Sequence, residues 1–524
     1  MSSTFHLLET SKRSLLTHQV ALQTTGQNIT NASTTGYSRQ RVSMVASRPL
    51  EAPGLMRSNT PGQIGTGVEY DSITRIRNTF LDVQYRRENQ SMGSWQIQNE
   101  TLTAIQNIVN EPSTNGLSTV MDKFWNSWET LNRDPSLLSA RVAVAGAASN
   151  MADTFKHIGE SLTSLEKDIN SSIDKKVQQA NTLIDGIADL NHLIRYTEAL
   201  GNNANDYRDQ RDVMIDQLSS IVDVSFSEDS SGMTNITSAG VNVVSGETGT
   251  HLTTDAATDA TSGELNGYVK SLGETGKIRD QLNALVNTLA TGDINVTLSN
   301  GYVTKQDLTA LNDVTLKDGT VIPKGTTIPA GSSVTSSIQL TVKGFNGLHE
   351  LGYTLTSPTT DGVPFFTANG GGDFTIDNIA VNPAILKDTN MIAASSKYET
   401  LNGVDKAIRG NSDIANAIAG LRDAIFTFPD ALTSLSNGTT DDYFRAVVGD
   451  LGIRSNNVET NYNNQQTMVD NIEIQRQSTS GVSLDEEFTD MIRFQKAYNA
   501  AARVVTAVDE MLDKIINSMG IVGR

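Results

Sequence analysis

Cysteine is absent from all 524 residues of the chain. Its absence excludes disulfide bonds, thiolate metal sites and catalysis by a thiol nucleophile. A chain without cysteine also cannot become crosslinked while it is unfolded in transit. Many cytosolic proteins lack cysteine as well, so this absence alone does not assign a compartment.

Long apolar runs are absent too. No run of about 18 consecutive apolar residues is present, so the sequence predicts no membrane insertion. The N-terminal stretch MSSTFHLLETSKRSLLTHQVALQ has no uninterrupted apolar core and no clear cleavage site. We therefore expect no secretory signal peptide, and a secreted chain of this kind would need another route out of the cell.

Basic residues are few for the length of the chain. There are 40 Lys and Arg residues against 59 Asp and Glu residues, which gives a net charge of −19 at pH 7. Binding to nucleic acid or to an anionic membrane surface needs a basic face, so the sequence predicts neither partner. At roughly 150 residues per domain, the length predicts three or four domains and at least one sizeable core.

Residue patterns for catalysis and metal binding are also missing. The glycines at 62, 65 and 67 do not follow the dinucleotide-binding order, and Ser271 and Ile278 break a P-loop pattern around Gly276-Lys277. No two histidines stand at a zinc-binding spacing. We therefore expect no catalytic, cofactor-binding or metal-binding residues and no enzyme. The six histidines are His6, His18, His157, His192, His251 and His349.

Two charged clusters have simpler interpretations than a carboxylate site. The run Asp485 to Glu487 precedes an apolar helical pattern, and acidic residues in a first helical turn interact favourably with the helix dipole. The second cluster is typical of a solvated, salt-bridged helix face. It consists of Arg208, Asp209, Arg211, Asp212 and Asp216.

An apolar stripe near the N-terminus predicts an amphipathic helix. Leu8, Leu15, Leu22 and Ile29 are seven residues apart. Ser3 or Thr4 is a candidate cap. We expect Gly26 and the polar run from 28 to 36 to end the helix.

A longer stripe lies near the C-terminus. From Met491, alternating three- and four-residue steps reach only apolar residues over four heptads, and Ser483 with Glu486 forms a capping-box pattern ahead of them. One such stripe is typical of an ordinary core helix, but stripes at both ends of a chain favour paired, coiled-coil-like terminal helices. The candidate self-assembly residues are Leu8, Leu15, Leu22, Ile29, Met491, Phe494, Tyr498, Ala501, Val505, Val508, Leu512 and Ile515, and the seam runs on to Met519.

Between the two stripes the sequence pattern changes from helical to strand-like and then back to helical, which predicts an α+β fold. Helical patterns cover about 76–110, 118–133, 135–200, 206–221 and much of the chain from 412 onward. From 222 to 394, short alternating segments rich in Ser, Thr, Gly and β-branched residues predict strands.

We therefore expect three regions. The first is a terminal helical assembly domain (1–45 with 482–524). The second is a helix-rich domain with some strands (46–221 with 395–481). The third is a β-rich outer domain (222–394). Within it, 292–343 is expected to form a small β subdomain leaning on its neighbours, because its alternating runs at 294–298 and 338–342 flank several turn motifs.

Several motifs resemble those of a known family. The stretch from Gly26 to Gln40 (GQNITNASTTGYSRQ), and the stretches 476–487 (RQSTSGVSLDEE) and 494–503 (FQKAYNAAAR), resemble the terminal signatures of bacterial flagellar axial proteins, which build the rod, the hook and the hook-associated junctions. The motifs GYSRQ at 36–40, GTGV at 65–68 and DYRDQRD at 206–212 are similar to those of the hook-associated members. The chain departs from the family pattern at Gln27, Thr30, Thr35 and Ser483, which affects local turn geometry.

The resemblance implies a structural protein that is exported by the flagellar route without a cleaved signal. It implies a ring of copies at the distal end of the hook, with the hook protein on one side and the next hook-associated junction protein on the other. It also implies a cytosolic export chaperone that covers the C-terminal helix. The segment 292–343 looks inserted relative to this family.

Three alternatives remain open from the sequence. A hook or rod axial protein shares the terminal signatures, although the 206–212 run and the long helical tract count against it. A secreted enzyme displayed on the flagellum is disfavoured because catalytic patterns are missing. An adhesive role for the middle of the chain is the third alternative.

Overall fold

The computed structural model describes residues 4–49, 65–429 and 432–518. Ser3, Gly62 and Met519, which the sequence patterns single out, lie outside these ranges. Within them, long helices combine with small antiparallel sheets, and this confirms the predicted α+β fold. The helices are α1 Thr4–Thr30, α2 Thr79–Val109, α3 Leu117–Arg133, α4 Leu138–Ala199, α5 Asn205–Ile221, α6 Thr254–Thr258, α7 Gly263–Thr291, α8 Gly344–Glu350, α9 Pro383–Lys387, α10 Asp413–Gly420, α11 Thr440–Ser480 and α12 Leu484–Ser518.

The strands are short and pair mostly as hairpins. In the described residues, one sheet has four strands in the order β3-β4-β5-β6 and the other sheets have two. The strands are β1 Gln40–Ala46, β2 Val68–Arg75, β3 Ser225–Glu228, β4 Thr234–Ser238, β5 Val241–Ser245, β6 Thr248–Gly249, β7 Asp293–Leu298, β8 Leu308–Thr309, β9 Val314–Thr315, β10 Val321–Ile322, β11 Thr327–Ile328, β12 Ile338–Lys343, β13 Phe366–Ala368, β14 Ile379–Val381, β15 Tyr398–Leu401, β16 Val404–Ala407, β17 Phe426–Thr427 and β18 Asn437–Gly438.

The chain divides into two compact units. The first contains residues 1–96, 173–267 and 461–524, and the second contains residues 97–172 and 268–460. The three-region division expected from the sequence remains a prediction. Two expectations about helices need correction, one for α7 and one for α1.

Helix α7 was missed as a long helix because its sequence contains several glycines. It occupies Gly263–Thr291 inside the stretch predicted to be rich in strands. Glycine lowers helix propensity, but tertiary packing overrides it here, since Ile278, Leu282, Leu285 and Leu289 are fully buried. The apparent P-loop tail at 273–277 is therefore a continuous part of a helix.

Helix α1 does not stop at Gly26. It continues to Thr30, inside the polar run that was expected to follow it. The polar side chains support the last turn: the Thr30 hydroxyl donates to the carbonyl of Gly26 at 3.0 Å, and the Asn31 amide donates to the carbonyl of Gln27 at 3.1 Å. The carbonyl of Gln27 also accepts the backbone N–H of Asn31 at 3.0 Å, so the side-chain bonds reinforce a turn that the backbone already closes.

In the first unit, α1 and α12 pack along each other and the hairpin β1–β2 packs on α1. Asn191 connects α4 to the four-stranded sheet and its turn through hydrogen bonds. Its amide donates to the carbonyls of Thr234 at 2.8 Å and Gly246 at 2.6 Å, and its oxygen accepts from the Thr234 N–H at 3.1 Å. A buried asparagine bonded in this way satisfies backbone groups that would otherwise be buried without a partner.

The second unit is built around an aromatic cluster. Phe124 and Trp128 of α3 contact Phe345 of α8 with ring centroids 5.4 Å apart in each pair, and Phe345 lies 5.0 Å from Phe365. All four rings are fully buried. Aromatic rings bury large apolar areas, so this cluster anchors the unit.

The segment 292–343 belongs to this second unit and forms one long hairpin. Strands β7 and β12 pair from Asp293 with Lys343 to Leu298 with Ile338, and the inner pairs β8–β11 and β9–β10 continue in the same register. The predicted strands are confirmed. The segment does not bury a separate core, however, because its apolar side chains join the main core of the unit.

One ion pair closes the base of this hairpin: the Lys343 ammonium lies 2.7 Å from the Asp293 carboxylate on the facing strand. A second contact attaches the hairpin to the rest of the unit: the Lys305 ammonium lies 3.0 Å from a carboxylate oxygen of Asp361 and 3.9 Å from the centre of the Tyr353 ring. A small β subdomain is therefore an integral part of the second unit.

His349 is fully buried beside the aromatic cluster. Its Nδ1 lies 2.6 Å from the carbonyl of Val363, and its Nε2 accepts the N–H of Ala393 at 2.8 Å. Nδ1 therefore carries the proton of the neutral ring. Burial lowers the pKa of His349 to about 4. The unfolded chain has an ordinary histidine pKa of about 6.5, so between these values the unfolded state binds more protons and stability falls as the pH falls.

We expect this single group to make the second unit acid-sensitive. Compared with His349→Gln, the intact chain should lose up to about 3 kcal/mol of its stability advantage between pH 6.5 and pH 4. Urea unfolding followed by pulsed hydrogen exchange over residues 338–366 measures this unit alone. His157→Gln, at an exposed histidine of the same unit, is the matched control. A constant difference between the intact chain and His349→Gln across this pH range would contradict the account.

Candidate assembly site: the terminal helices and their polar joint

The two terminal helices lie antiparallel. Near the end of α1, the Asn28 amide donates to a carboxylate oxygen of Glu487 at 3.0 Å, close to the start of α12. Further from both ends, the rings of His18 and Phe494 lie 6.2 Å apart. The expected pairing of the terminal helices is therefore present within a single chain.

The predicted self-assembly residues lie on these two helices, but few of them are covered. Ala501 and Val508 are buried, whereas Ile515 keeps 45% of its surface exposed. The remaining nine are half-buried. Their role in self-assembly remains a prediction. The half-buried residues are Leu8, Leu15, Leu22, Ile29, Met491, Phe494, Tyr498, Val505 and Leu512.

The interior face of α1 is small and polar, which a search for apolar stripes misses. The hairpin β1–β2 approaches it closely: the Thr17 hydroxyl donates to the carbonyl of Val68 at 3.4 Å. Gly67 has a φ of +103° and lies against Thr10, where a side chain would clash. The buried residues of α1 are Ser11, Thr17, Ala21, Thr24, Thr25 and Asn28.

Helix α12 carries apolar side chains that keep 37–57% of their surface exposed. Leu484, Phe488 and Ile492 are four residues apart and form one stripe on its first turns. Val504, Met511 and Ile515 form a second stripe nearer its end. We call these the first and second outer stripes.

A buried asparagine joins the two helices to the following strand. The Asn28 oxygen accepts from the Tyr37 hydroxyl at 2.8 Å and from the Gln40 N–H at 3.0 Å. Its amide donates to the Gln40 carbonyl at 2.9 Å as well as to Glu487. Asn28 thus uses both of its acceptor positions and both of its donors.

Arg39 completes this polar joint, which we define as Asn28, Tyr37, Ser38, Arg39, Gln40 and Glu487. The Arg39 guanidinium donates to Glu487 at 2.6 Å and to Glu486 at 2.5 Å. The interpretation of the acidic run as a helix-dipole effect was therefore incomplete. Glu487 is 2% exposed and serves as a buried partner for Arg39 and Asn28.

The joint is attached to α5. The backbone N–H of Ser38 and its hydroxyl donate to the Asp209 carboxylate at 2.9 Å and 2.7 Å, and the Gln40 amide donates to Asp206 at 2.7 Å. Gly36, just before, has a φ of +79° and lies against Val213 of α5, where a Cβ atom would clash. The GYSRQ and DYRDQRD motifs are therefore direct contact partners.

The prediction of a solvated charged face on α5 was wrong. Asp209 and Arg211 are 5% and 1% exposed. The acids at 209, 212 and 216 face arginines from other segments and form a buried charge cluster. Its members are Arg75, Arg77, Asp82, Arg86, Asp209, Asp212, Asp216 and Arg476.

Asp212 is the centre of this charge cluster. Its carboxylate lies 2.9 Å from Arg75, 3.0 Å from Arg86 and 3.3 Å from Arg77. Burial alone would raise the pKa of Asp212, but the guanidinium groups of Arg77, Arg86 and Arg75 together outweigh burial and hold that pKa far below its usual range. The carboxylate therefore stays ionised at any physiological pH.

Two arginines extend the charge cluster to its neighbours. Arg86 also donates to Asp216 at 2.6 Å, and Arg476 of α11 reaches both Asp216, at 2.7 Å, and Asp82, at 2.9 Å. One signal of this burial was present in the sequence. The acids at 209, 212 and 216 follow the three- and four-residue steps of a core-facing helix stripe.

The cleft beside the joint has a volume of about 600 Å³ and lies between α1, β1 and α12. Its lining includes Thr25, Arg41, Asp490 and Phe494.

Across the described ranges, no group of three or more metal-ligating side chains occurs. No helix among the described residues is both long enough and apolar enough to cross a membrane.

Comparison with known proteins assigns the family. A family model described as "Flagellar hook-associated protein FlgK helical domain" matches residues 102–366, and one described as "Flagellar basal body rod FlgEFG protein C-terminal" matches residues 475–519. Flagellar hook-associated protein 1 of Bacillus subtilis (strain 168) is 34% identical over 529 residues, covering 100% of both chains. The chain belongs to the flagellar hook-associated protein 1 family.

Other relatives agree with this assignment. Flagellar hook-associated protein 1 of Salmonella typhimurium (strain LT2) is 26% identical over 547 residues, covering 95% of this chain and 97% of the relative. The flagellar hook junction protein FlgK from Burkholderia pseudomallei has a similar fold, with a TM-score of 0.51 and 13% identity. The match covers 76% of this chain and 100% of the Burkholderia pseudomallei chain.

This member of the hook-associated protein 1 family is a structural axial component of the bacterial flagellum. The full-length match favours a hook-associated protein over the rod and hook proteins that share its terminal signature. Three of the motifs that suggested the family, at 26–40, 206–212 and 476–487, contribute residues to the polar joint or the charge cluster.

We expect Arg39→Ala to loosen the terminal helices. Glu487 would stay buried without its cation, and breaking a buried pair in this way costs about 3–5 kcal/mol. Hydrogen exchange in α1 and α12 should accelerate by at least tenfold, while residues 338–366 in the second unit keep their protection. Arg41→Ala, at an exposed arginine two residues away, is the control. If the two variants exchange equally, Arg39 does not hold the joint.

Proposed function

We propose that this hook-associated protein forms a ring of copies at the junction between hook and filament, with its terminal helices as the contacts between copies. The observation that carries this proposal is the exposure of both outer stripes of α12. Phe488 and Ile492 are 48% and 57% exposed in the single chain. Apolar surface concentrated in this way is typical of a protein–protein contact.

The arrangement suits assembly because the two outer stripes occupy different faces of one helix. With the periodicity of an α-helix, the stripe from Leu484 to Ile492 lies on one side of α12 and the stripe from Val504 to Ile515 lies on another. One helix can therefore contact two neighbours. Covering three large apolar side chains contributes roughly 2 kcal/mol for each, and a closed ring repeats that contribution at every copy.

The partners that we propose are those that membership of this family implies. The ring would contact the hook protein on one side and the next hook-associated junction protein on the other. Before export, a cytosolic chaperone would cover the apolar C-terminal helix, since exposed apolar stripes promote aggregation. The protein would leave by the flagellar export route without a cleaved signal and act outside the cell as a structural element without enzymatic activity.

A pair of exposed substitutions tests the ring contact without disturbing the fold. Phe488→Asp with Ile492→Asp places two charges in the first outer stripe. We expect normal export of a folded chain, but at least tenfold fewer filaments in a strain that lacks the native protein, because a buried unpaired charge is strongly disfavoured.

The measurement combines electron microscopy of filaments with detection of the protein in the culture medium. Gln178→Asp with Thr182→Asp, at the same four-residue spacing on an exposed face of α4, is the charge-matched control. Normal filament numbers in the Phe488 and Ile492 variant would rule out the first outer stripe as a contact between copies.

A further inference from the structure

The apolar pattern of the terminal helices does not select one axial alignment. On α1 the stripe residues repeat every seven positions, and on α12 two series do the same. Sliding either helix by seven residues, about 10 Å, superimposes each apolar series on itself, so these series do not favour one alignment over another. The α12 series are Met491, Tyr498, Val505, Leu512 and Phe494, Ala501, Val508, Ile515.

The buried residues of α1 also do little to favour one axial alignment over another. Apart from Asn28, the buried residues of α1 are small residues or threonines. Small side chains form shallow contacts that many alignments accommodate. Some other feature must therefore fix the alignment seen in the structure.

The bond between Asn28 and Glu487 has no counterpart one heptad away. Seven residues before Asn28 stands Ala21, and seven residues after Glu487 stands Phe494. A slip in one direction would set Glu487 against Ala21, and a slip in the other would set Asn28 against Phe494. Either slip leaves a buried polar group without its partner, which is strongly disfavoured.

The joint also anchors this pair from outside the helices. Tyr37 and Gln40 use the remaining hydrogen-bonding capacity of Asn28, and Arg39 holds the second oxygen of Glu487. Asn28 cannot turn to another partner without breaking these bonds. The strand that follows α1 thus fixes the position of Asn28 along the helix.

From this geometry we infer that Asn28 and Glu487, held by Arg39, form a register pin that selects one axial alignment of α1 against α12. In coiled coils, a single buried polar residue selects alignment in the same way. Under the proposed function, the pin sets where the outer stripes of α12 lie relative to α1, so every copy presents the same contact surface to its neighbours.

The absence of native cysteine allows a clean measurement. Disulfide formation requires Cα atoms within about 7 Å, so pairs of introduced cysteines report alignment in the full-length, dilute monomer. His18→Cys with Phe494→Cys reports the native alignment. Ser11→Cys with Phe494→Cys and His18→Cys with Ala501→Cys report slips of one heptad in the two directions.

Each cysteine pair is placed in three backgrounds: the unaltered chain, the pin variant Asn28→Leu with Glu487→Leu, and the control Gln23→Leu with Gln495→Leu at exposed positions. The unaltered and control chains should form the native crosslink at least tenfold more than either slipped one. In the pin variant, the slipped crosslinks should rise to within about threefold of the native one. A folded pin variant that still forms the native crosslink alone would overturn the inference.

If the pin variant does not fold, the variant Glu487→Gln tests the inference in its place. Glutamine keeps the shape of the side chain, but it has one acceptor oxygen in place of two, so it cannot accept from Asn28 on one atom and from Arg39 on the other. The inference requires the slipped crosslinks of this variant to rise about tenfold, and an unchanged crosslink pattern would overturn it. The crosslinks are measured in the monomer, so their outcome does not depend on the proposed ring. The filament count tests the ring separately.

Discussion

Pairing of buried carboxylates with buried arginines is the constraint on which the first unit depends. On α5, Asp209 is buried and Asp212 and Asp216 keep only 13% and 17% of their side-chain surface exposed, so charge without a partner is strongly disfavoured there. Arginines from the end of β2, from α2 and from α11 meet them at 2.6–3.0 Å. Buried ion pairs contribute little net stability compared with apolar packing, but the loss of one partner is costly. The charge cluster therefore specifies which segments come together.

The rest of the assembly site follows from this cluster. Ser38 bonds to Asp209, so the strand after α1 is fixed on α5. That strand carries Arg39, which holds the start of α12 through Glu487. The terminal helices are thereby held at one end by polar bonds, and the apolar residues on the outside of α12 remain available to other copies. Under the proposed function, the polar bonds inside the chain and the apolar contacts between chains use different faces of α12.

Periodicity alone predicted the elements that have a regular pattern. The tract predicted from 135 to 200 is the single helix α4, Leu138–Ala199, and the alternating runs at 294–298 and 338–342 are paired strands. The partners within the charge cluster could not be predicted in the same way, because Arg86 and Asp212 are far apart in sequence, although the spacing of the three acids on α5 was a signal that they are buried. Helix α7 was missed because its glycines suggest turns while its support comes from burial. The buried face of α1 was missed because threonine and serine usually indicate exposure.

Substituting the central carboxylate tests the account most directly. In Asp212→Asn, hydrogen-exchange mass spectrometry of the intact chain should show faster exchange, on the order of 100-fold, in α5 and together with it in α1, α12 and residues 461–480 of α11. Breaking a buried pair costs about 3–5 kcal/mol, and each 1.4 kcal/mol is a factor of ten. Residues 338–366 of the second unit should keep their protection, and Asp189→Asn, at an exposed position of α4, should change nothing. Loss of protection confined to α5, or equal loss in both units, would contradict the claim that the charge cluster holds the terminal helices to the first unit.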